Sequence, residues 1–461
     1  MTLLRFGCSW LPAVILAALT QQTLLAQDKG EKLKQETGGK KTLEKKVDPG
    51  KKDDQKPEPA QKIVNILRQG FPAAKADPMD VTKSDSAWHI EWDITNPDNG
   101  SGNSTKPSSV LAIRSAKYMF KDGDGKVRWF TVLKDLELSE MLVPYDKMQP
   151  VFLDVSEHSF RLIPAKPEYL GPSCVIAGEI LDSADARMKN KVLKEVHDDG
   201  LRWLNNQNRG RRGEKMLLWT IFDGGNYRYL IEYGFADDGT LSCRVGATAH
   251  NYFSKQKDGR DVHLHVGCWR WDPVLSESGD KEIGGAAHNQ VLLVRRLMSD
   301  PVPNGMFKVD LGPFNPNGQG QAMEGYADWK ADEFTVLRVQ SLVRKNSSKD
   351  PNLTAIDLVP MRMGAVRNFP WKYAFANHDF WVTRKRPEPL KYSEVPLYAM
   401  QSRTIDKAAV TIWHNSPSLH VPRGEDYGLD GTSNYQGAAI TNWTGFSLRP
   451  INLFDKTPLY P

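Results

Sequence analysis

The spacing most able to do chemistry in this sequence is His263-Leu264-His265. Residues two apart on a β-strand point to the same face, so both imidazoles can reach a single metal ion. A third imidazole, His420, lies far downstream in Leu419-His420-Val421-Pro422-Arg423-Gly424-Glu425-Asp426. Three nitrogen donors with room for water suit Cu(II), which also tops the affinity order of the divalent ions. Zinc accepts the same ligands, and a His-x-His pair taken alone is more often two surface residues than a site. A second stretch stands out: Trp219-Thr220-Ile221-Phe222-Asp223-Gly224-Gly225-Asn226-Tyr227-Arg228-Tyr229. It reads as a strand, with the glycine pair where a bulge or close backbone approach belongs. Taken alone it is a core strand with a satisfied tyrosine. His250, His378 and His414 lack comparable settings and read as structural or exposed.

The elements that must position these residues are mostly strands. Runs rich in β-branched and aromatic residues cover 87–94, 109–120, 128–137, 216–222, 229–235, 241–247, 262–271, 290–297, 334–343, 380–383, 409–413 and 445–448. Turn residues separate them, as in Asp122-Gly123-Asp124-Gly125, which reads as a hairpin turn rather than a calcium loop. The spacing predicts helices over 63–69 and, more strongly, over 192–206. Many short strands and few helices predict an all-β fold, a large antiparallel β-sandwich with a few short helices.

The chain has 461 residues and a net charge of +5, small for that length and unlike a nucleic-acid-binding protein. Residues 1–26 read as a secretory signal peptide, with Arg5 ahead of an apolar run from Trp10 to Leu19 and Ala26 as the cleavage position. That run is short for a stable membrane span, so a secreted or periplasmic protein is expected. Residues 27–62 are lysine- and acid-rich with almost no large apolar side chains. They read as a disordered charged tether. The globular part is expected over 63–461. Cys174, Cys243 and Cys268 remain once the leader carrying Cys8 is removed, an odd number that leaves at least one thiol free or paired between chains. Cys268 reads as a buried structural cysteine, with a soft copper ligand as the alternative.

Asn226-Tyr227, followed by His263-Leu264-His265 and by His420 in its block, resembles the catalytic domain of copper amine oxidases. Further blocks in the same order carry the resemblance: 139–145, 152–158, 246–248, 380–383, 412–426 and 446–454. It spans roughly residues 72–461. The resemblance implies copper held by His263, His265 and His420. It implies topaquinone formed from Tyr227 by copper and dioxygen, and a homodimer. It implies Asp154 as the general base that takes a proton from the carbon beside the amine nitrogen; such a base needs the raised carboxylate pKa that partial burial supplies. Tyr145 is implied to hydrogen-bond the quinone oxygen, Asn226 belongs to the same catalytic set, and Phe152 falls near a gate position. The implied reaction converts a primary amine, water and dioxygen to an aldehyde, ammonia and hydrogen peroxide. Two departures stand out: Asp223 occupies the family's threonine position, and Arg228 the position of an acid beside the tyrosine. They point to a second reading, a catalytically silent copper-binding relative that serves as a binding or assembly module. A peripheral cation site of the family is matched only by Asp272, since Val274 and Ala409 stand where acids belong.

Overall fold

Among the described residues, twenty strands follow one another: β1 (Asn65–Phe71), β2 (Ser86–Ile94), β3 (Leu111–Lys121), β4 (Val127–Pro144), β5 (Val151–Leu153), β6 (Arg161–Leu162), β7 (Val175–Leu181), β8 (Val192–Leu204), β9 (Gly210–Gly224), β10 (Tyr227–Ala236), β11 (Leu241–Ala249), β12 (His263–Glu277), β13 (Asn289–Leu297), β14 (Lys308–Pro313), β15 (Gly325–Ala327), β16 (Glu333–Lys345), β17 (Leu353–Pro360), β18 (Phe380–Arg384), β19 (Val410–His420) and β20 (Ala439–Ile451). This computed structural model describes residues 64–95, 109–157, 161–171, 175–249, 262–277, 289–297, 308–316, 320–329, 333–345, 352–361, 368–387, 390–423, 426 and 439–455. Among them, one α-helix, α1 (Val395–Ala399), and several 3-10 turns are the only helical segments. None of the helices is long and apolar enough to cross a membrane.

The strands form two antiparallel sheets. The first runs β1-β2-β3-β4-β12-β19-β18-β15, with β5 paired to β4. The second runs β14-β13-β16-β17-β20-β11-β10-β9-β8-β7, with β6 paired to β9. A continuous apolar core lies between them, built from the inward-facing residues of both, as alternation along a strand dictates. Large aromatics cross that core and end on the other sheet's backbone. Trp88 of β2 donates its indole N–H to the Ala236 carbonyl at 2.8 Å, and Tyr233 of β10 donates its hydroxyl to the Leu111 carbonyl at 3.0 Å. These two rings thus contribute buried area while their polar tips stay satisfied. This is the expected β-sandwich.

Two segments read as helices are strands, and β5, β6, β7, β14, β15 and β17 lie outside the runs read as strands. The segment expected to be a helix at 63–69 is β1, in which buried Leu67 and Gln69 alternate with exposed Ile66 and Arg68. The stronger helix candidate at 192–206 is β8. Its charged residues, spaced as on a helix surface, instead pair across strands: Lys194 with Glu179 at 2.9 Å and Lys215 with Asp199 at 3.0 Å. Asp122–Gly125 is the hairpin turn between β3 and β4, closed by the Asp122 N–H on the Lys126 carbonyl at 3.0 Å. Cys243 and Cys268 are free and buried; Cys174 and His250 lie outside the described residues.

Candidate active site

The stretch around Tyr227 is a hairpin rather than one continuous strand. Gly224 ends β9, Tyr227 opens β10, and the two are register partners across the loop Gly225-Asn226. Gly225 has φ 87° and Asn226 stays out of the left-handed region, the arrangement of a type II′ turn with glycine first. The tight turn fixes Tyr227 at the mouth of the second sheet. Alternation then sends Tyr227 and Tyr229 inward and Arg228 to the opposite face.

The histidines come from the facing sheet. His263 and His265 open β12, and His420 ends β19, where it is the register partner of His263. All three are buried. His263 Nε2 lies 3.0 Å from His265 Nε2 and 3.3 Å from His420 Nδ1. Two nitrogens that share an ion at about 2.0–2.1 Å stand roughly 3–4 Å apart, so the spacing fits a metal. Burial, then the neighbouring His263 and His420, push the His265 pKa far down. The His265 ring is thus a neutral donor, as a metal requires. Asp426 sets the tautomer of His420: its Oδ2 lies 3.2 Å from Nε2, which puts the proton there and leaves Nδ1 as the acceptor that faces the cluster. Burial alone would raise Asp426, but hydrogen bonds from Arg423 and His420 outweigh it and keep the carboxyl below its ordinary range. Among the described residues, these three histidines are the only group able to hold a metal ion. Cys268 instead packs with Leu142 and Val266 in an apolar cluster of its own.

The Tyr227 hydroxyl meets this cluster, 3.1 Å from His263 Nε2 and 2.9 Å from His420 Nδ1. Burial, then Tyr145, hold its phenol protonated, well above the usual tyrosine range. Tyr145, just beyond β4, stacks on His263 with ring centroids 4.2 Å apart, and Phe152 meets Tyr145 edge-on at 6.0 Å. Asn226 is half-buried in the hairpin loop. Asp154 follows β5 and is buried. Burial pushes its carboxyl up to about 8, against a lowering hydrogen bond from Tyr229 and with raising charges from Glu140 and Glu157. Tyr229 donates its hydroxyl to Asp154 Oδ2 at 2.5 Å, and that hydroxyl also lies 3.5 Å from His265 Nδ1. Sequence reasoning missed Tyr229, although it sits two residues after Tyr227 on the same strand face. All the sequence-predicted site residues except Asn226 meet between the sheets.

Arg228 does not enter the site. Its guanidinium reaches back over the hairpin to Asp223 Oδ1 at 2.5 Å and to the Gly225 carbonyl at 2.8 Å. Arg161 holds the other oxygen of the same carboxylate. Asp272 is likewise enclosed by its own chain. It accepts from Arg270 at 2.8 Å and Thr411 at 2.7 Å, with Lys385 at 3.2 Å. His378 is half-buried beside Asp328 at 2.8 Å, and His414 is buried with Nδ1 on the Asp379 carbonyl at 2.9 Å.

The family model of the copper amine oxidase enzyme domain matches residues 195–460. The chain belongs to the copper amine oxidase family. The match contains Tyr227 and the three histidines; Tyr145 and Asp154 lie upstream of it. Histamine oxidase of Arthrobacter globiformis is 24% identical over 378 residues, 71% of this chain and 51% of that protein. Primary amine oxidase of Klebsiella aerogenes is 23% identical over 284 residues, 54% of this chain and 35% of that protein. The chain thus spans about half or less of the length of these relatives. Among solved structures, a copper-containing benzylamine oxidase from Hansenula polymorpha superposes with a TM-score of 0.56 at 17% identity, covering 76% of this chain and 60% of that one. An Aspergillus nidulans amine oxidase gives 0.52 at 17% identity, with 75% and 52% covered. These likenesses establish the shared fold.

Proposed function

We propose that this chain is a copper- and topaquinone-dependent oxidase of primary amines, producing aldehyde, ammonia and hydrogen peroxide. One observation carries the reading: the Tyr227 hydroxyl from one sheet lies within 3.1 Å of two donor nitrogens from the other. Copper would be held by His263, His265 and His420 and, with dioxygen as the oxidant, would supply the oxidation of the Tyr227 ring to topaquinone, whose carbonyl would be the electrophile for the amine. The chain's own residues do the rest. Asp154 takes the proton from the carbon beside the amine nitrogen. Tyr229 donates to its Oδ2 and so helps to orient the carboxyl. Tyr145 braces the ring side of the site by its stack on His263. Burial of the whole group excludes water and strengthens each of these interactions. The N-terminal leader supports export to the periplasm or exterior, and pairing into a homodimer follows the family pattern.

The test is copper loading under air. Quinone absorbance, reaction with a hydrazine, and peroxide release on adding primary amines are the expected results. Copper-loaded protein without a quinone would turn the reading over in favour of the silent copper-binding relative. Arg228 and Asp223, in place of the family's acid and threonine, are the observation that keeps that second reading in view.

A further inference from the structure

Asp154 stands on a thin support. The strand before it, β5, has three residues and pairs only with β4. Leu153 opposes Leu142, and the Asp154 N–H donates to the Met141 carbonyl at 2.9 Å. What holds the chain just after Asp154 is a carboxylate. Glu140 Oε1 accepts from the backbone N–H of Val155 at 3.0 Å and of Ser156 at 3.3 Å, and from that of Met141 at 3.0 Å. Glu140 is buried, yet it cannot touch substrate. Met141 and Val143 of β4 and Tyr145 just beyond it belong to the core between the sheets, while Leu142 belongs to the separate cluster with Cys268. Glu140 shares Leu142's face and opposes Cys268 across the ladder to β12. It therefore lies behind Asp154, on the far side of the sheet from Tyr227. Glu140 thus takes two backbone donors from the turn and one from its own strand; burial pushes its carboxyl up to about 7, and once it is ionised these charge-assisted hydrogen bonds are about twice as strong as neutral ones.

We propose that Glu140 is a positioning residue for Asp154: its carboxylate clasps the turn at Val155 and Ser156 and so fixes where the Asp154 carboxyl points. Tyr229 sets one oxygen of Asp154 from the facing sheet, and Glu140 sets the backbone that carries it. A base misplaced by about 1 Å can lose about 10²-fold in rate. That role rests on the oxidase reading for what Asp154 does; the clasp itself does not.

The experiment uses Glu140→Ala and Glu140→Gln in the full chain. Glutamine keeps an acceptor oxygen at the same reach, and alanine removes it. In the metal-free protein, Glu140→Ala is expected to speed amide hydrogen exchange at Val155 and Ser156 by about 10-fold or more, as local opening would. Exchange along β10 should stay unchanged, and Glu140→Gln should restore most of the protection. In copper-loaded protein, Glu140→Ala should keep its copper content and hydrazine titre while kcat falls about 10²-fold with little change in KM. Glu140→Gln should recover most of that rate. Wild-type exchange at Val155 and Ser156 in Glu140→Ala would overturn the clasp. Faster exchange with an unchanged kcat would overturn the link to Asp154. If the wild type forms no quinone, the oxidase reading fails separately, and the exchange measurement alone decides the clasp.

Discussion

At the scale of single residues, the site divides its labour between the two sheets, and substitutions should separate the parts. Tyr227→Phe removes the hydroxyl on which the cofactor depends and should leave the protein colourless and inactive with copper content intact. Asp154→Asn keeps the ring and the metal, so it should be coloured and hydrazine-reactive but slower by roughly 10²–10⁴-fold. Steady-state rates beside hydrazine titration check both. Asp154 also gives a pH signature. Its carboxyl is pushed up to about 8 by burial, so the active, ionised base accumulates as pH rises through that value, and kcat should rise along the same limb. For stability the sign is opposite. A group whose folded pKa is raised stabilises the fold at low pH and loses that contribution as pH rises through the folded value. Metal-free Asp154→Asn should therefore gain thermal stability over wild type above pH 8, with the difference gone near pH 4. The histidine cluster was legible in part: His-x-His on a strand puts two rings on one face, whereas His420 joined them only through the family resemblance of its block. Tyr229 and Asp426 were not singled out. Each acts through a partner brought in by folding, Asp154 for one and His420 for the other, and nothing local marks either.

At the scale of elements, the hairpin at Gly225-Asn226 decides what Arg228 can do. A continuous strand would set Arg228 beside the cofactor ring only through the backbone, and the turn adds a reason for it to stay away. Asp223 is its register partner on β9, and Arg161 on β6 closes on the same carboxylate. The pair is partly exposed, so it contributes little to global stability, on the order of 1 kcal/mol or less. Arg228→Ala should shift the thermal midpoint only slightly and leave copper binding unchanged. Arg228→Asp places a second carboxylate against Asp223 and should cost more, unless turnover recovers with it; a gain in kcat would assign to Arg228 a restraint on the ring. Calorimetry and peroxide assays together separate the two effects. Strand after strand was readable from alternation, and the sandwich followed. The two segments read as helices have a common cause. β1 and β8 carry polar and charged residues whose partners lie on adjacent strands, as Arg68 donates to His89 at 3.1 Å, and a single segment does not display those partners. The glycine pair was visible, but whether it bulged or turned depended on β9 and β10 finding each other.

At the scale of the whole molecule, the three clustered histidines belong to one sheet and Tyr227 to the other. His263, His265 and His420 lie on adjacent strands of the first sheet, and Tyr227 reaches them across the core. Copper should therefore stabilise the first sheet at its β12–β19 seam whether or not the tyrosine hydroxyl is present. A ligand that binds only the folded state adds RT ln(1 + [L]/Kd), about 2.7 kcal/mol at a hundredfold excess over Kd. Copper added to metal-free wild type should raise the thermal midpoint, and a chelator should reverse the rise. His420→Ala removes one of three donors and should lose both the stoichiometric copper and the shift. Asp426→Ala keeps the three donors but frees the tautomer of His420, so copper should bind about 10–100-fold more weakly and the shift should return only at higher metal concentration. Tyr227→Phe should keep the full shift, since it changes no nitrogen ligand. That combination is diagnostic. A shift lost in Tyr227→Phe would make the phenol part of the metal site itself, and a shift kept in His420→Ala would move the metal off the β12–β19 seam.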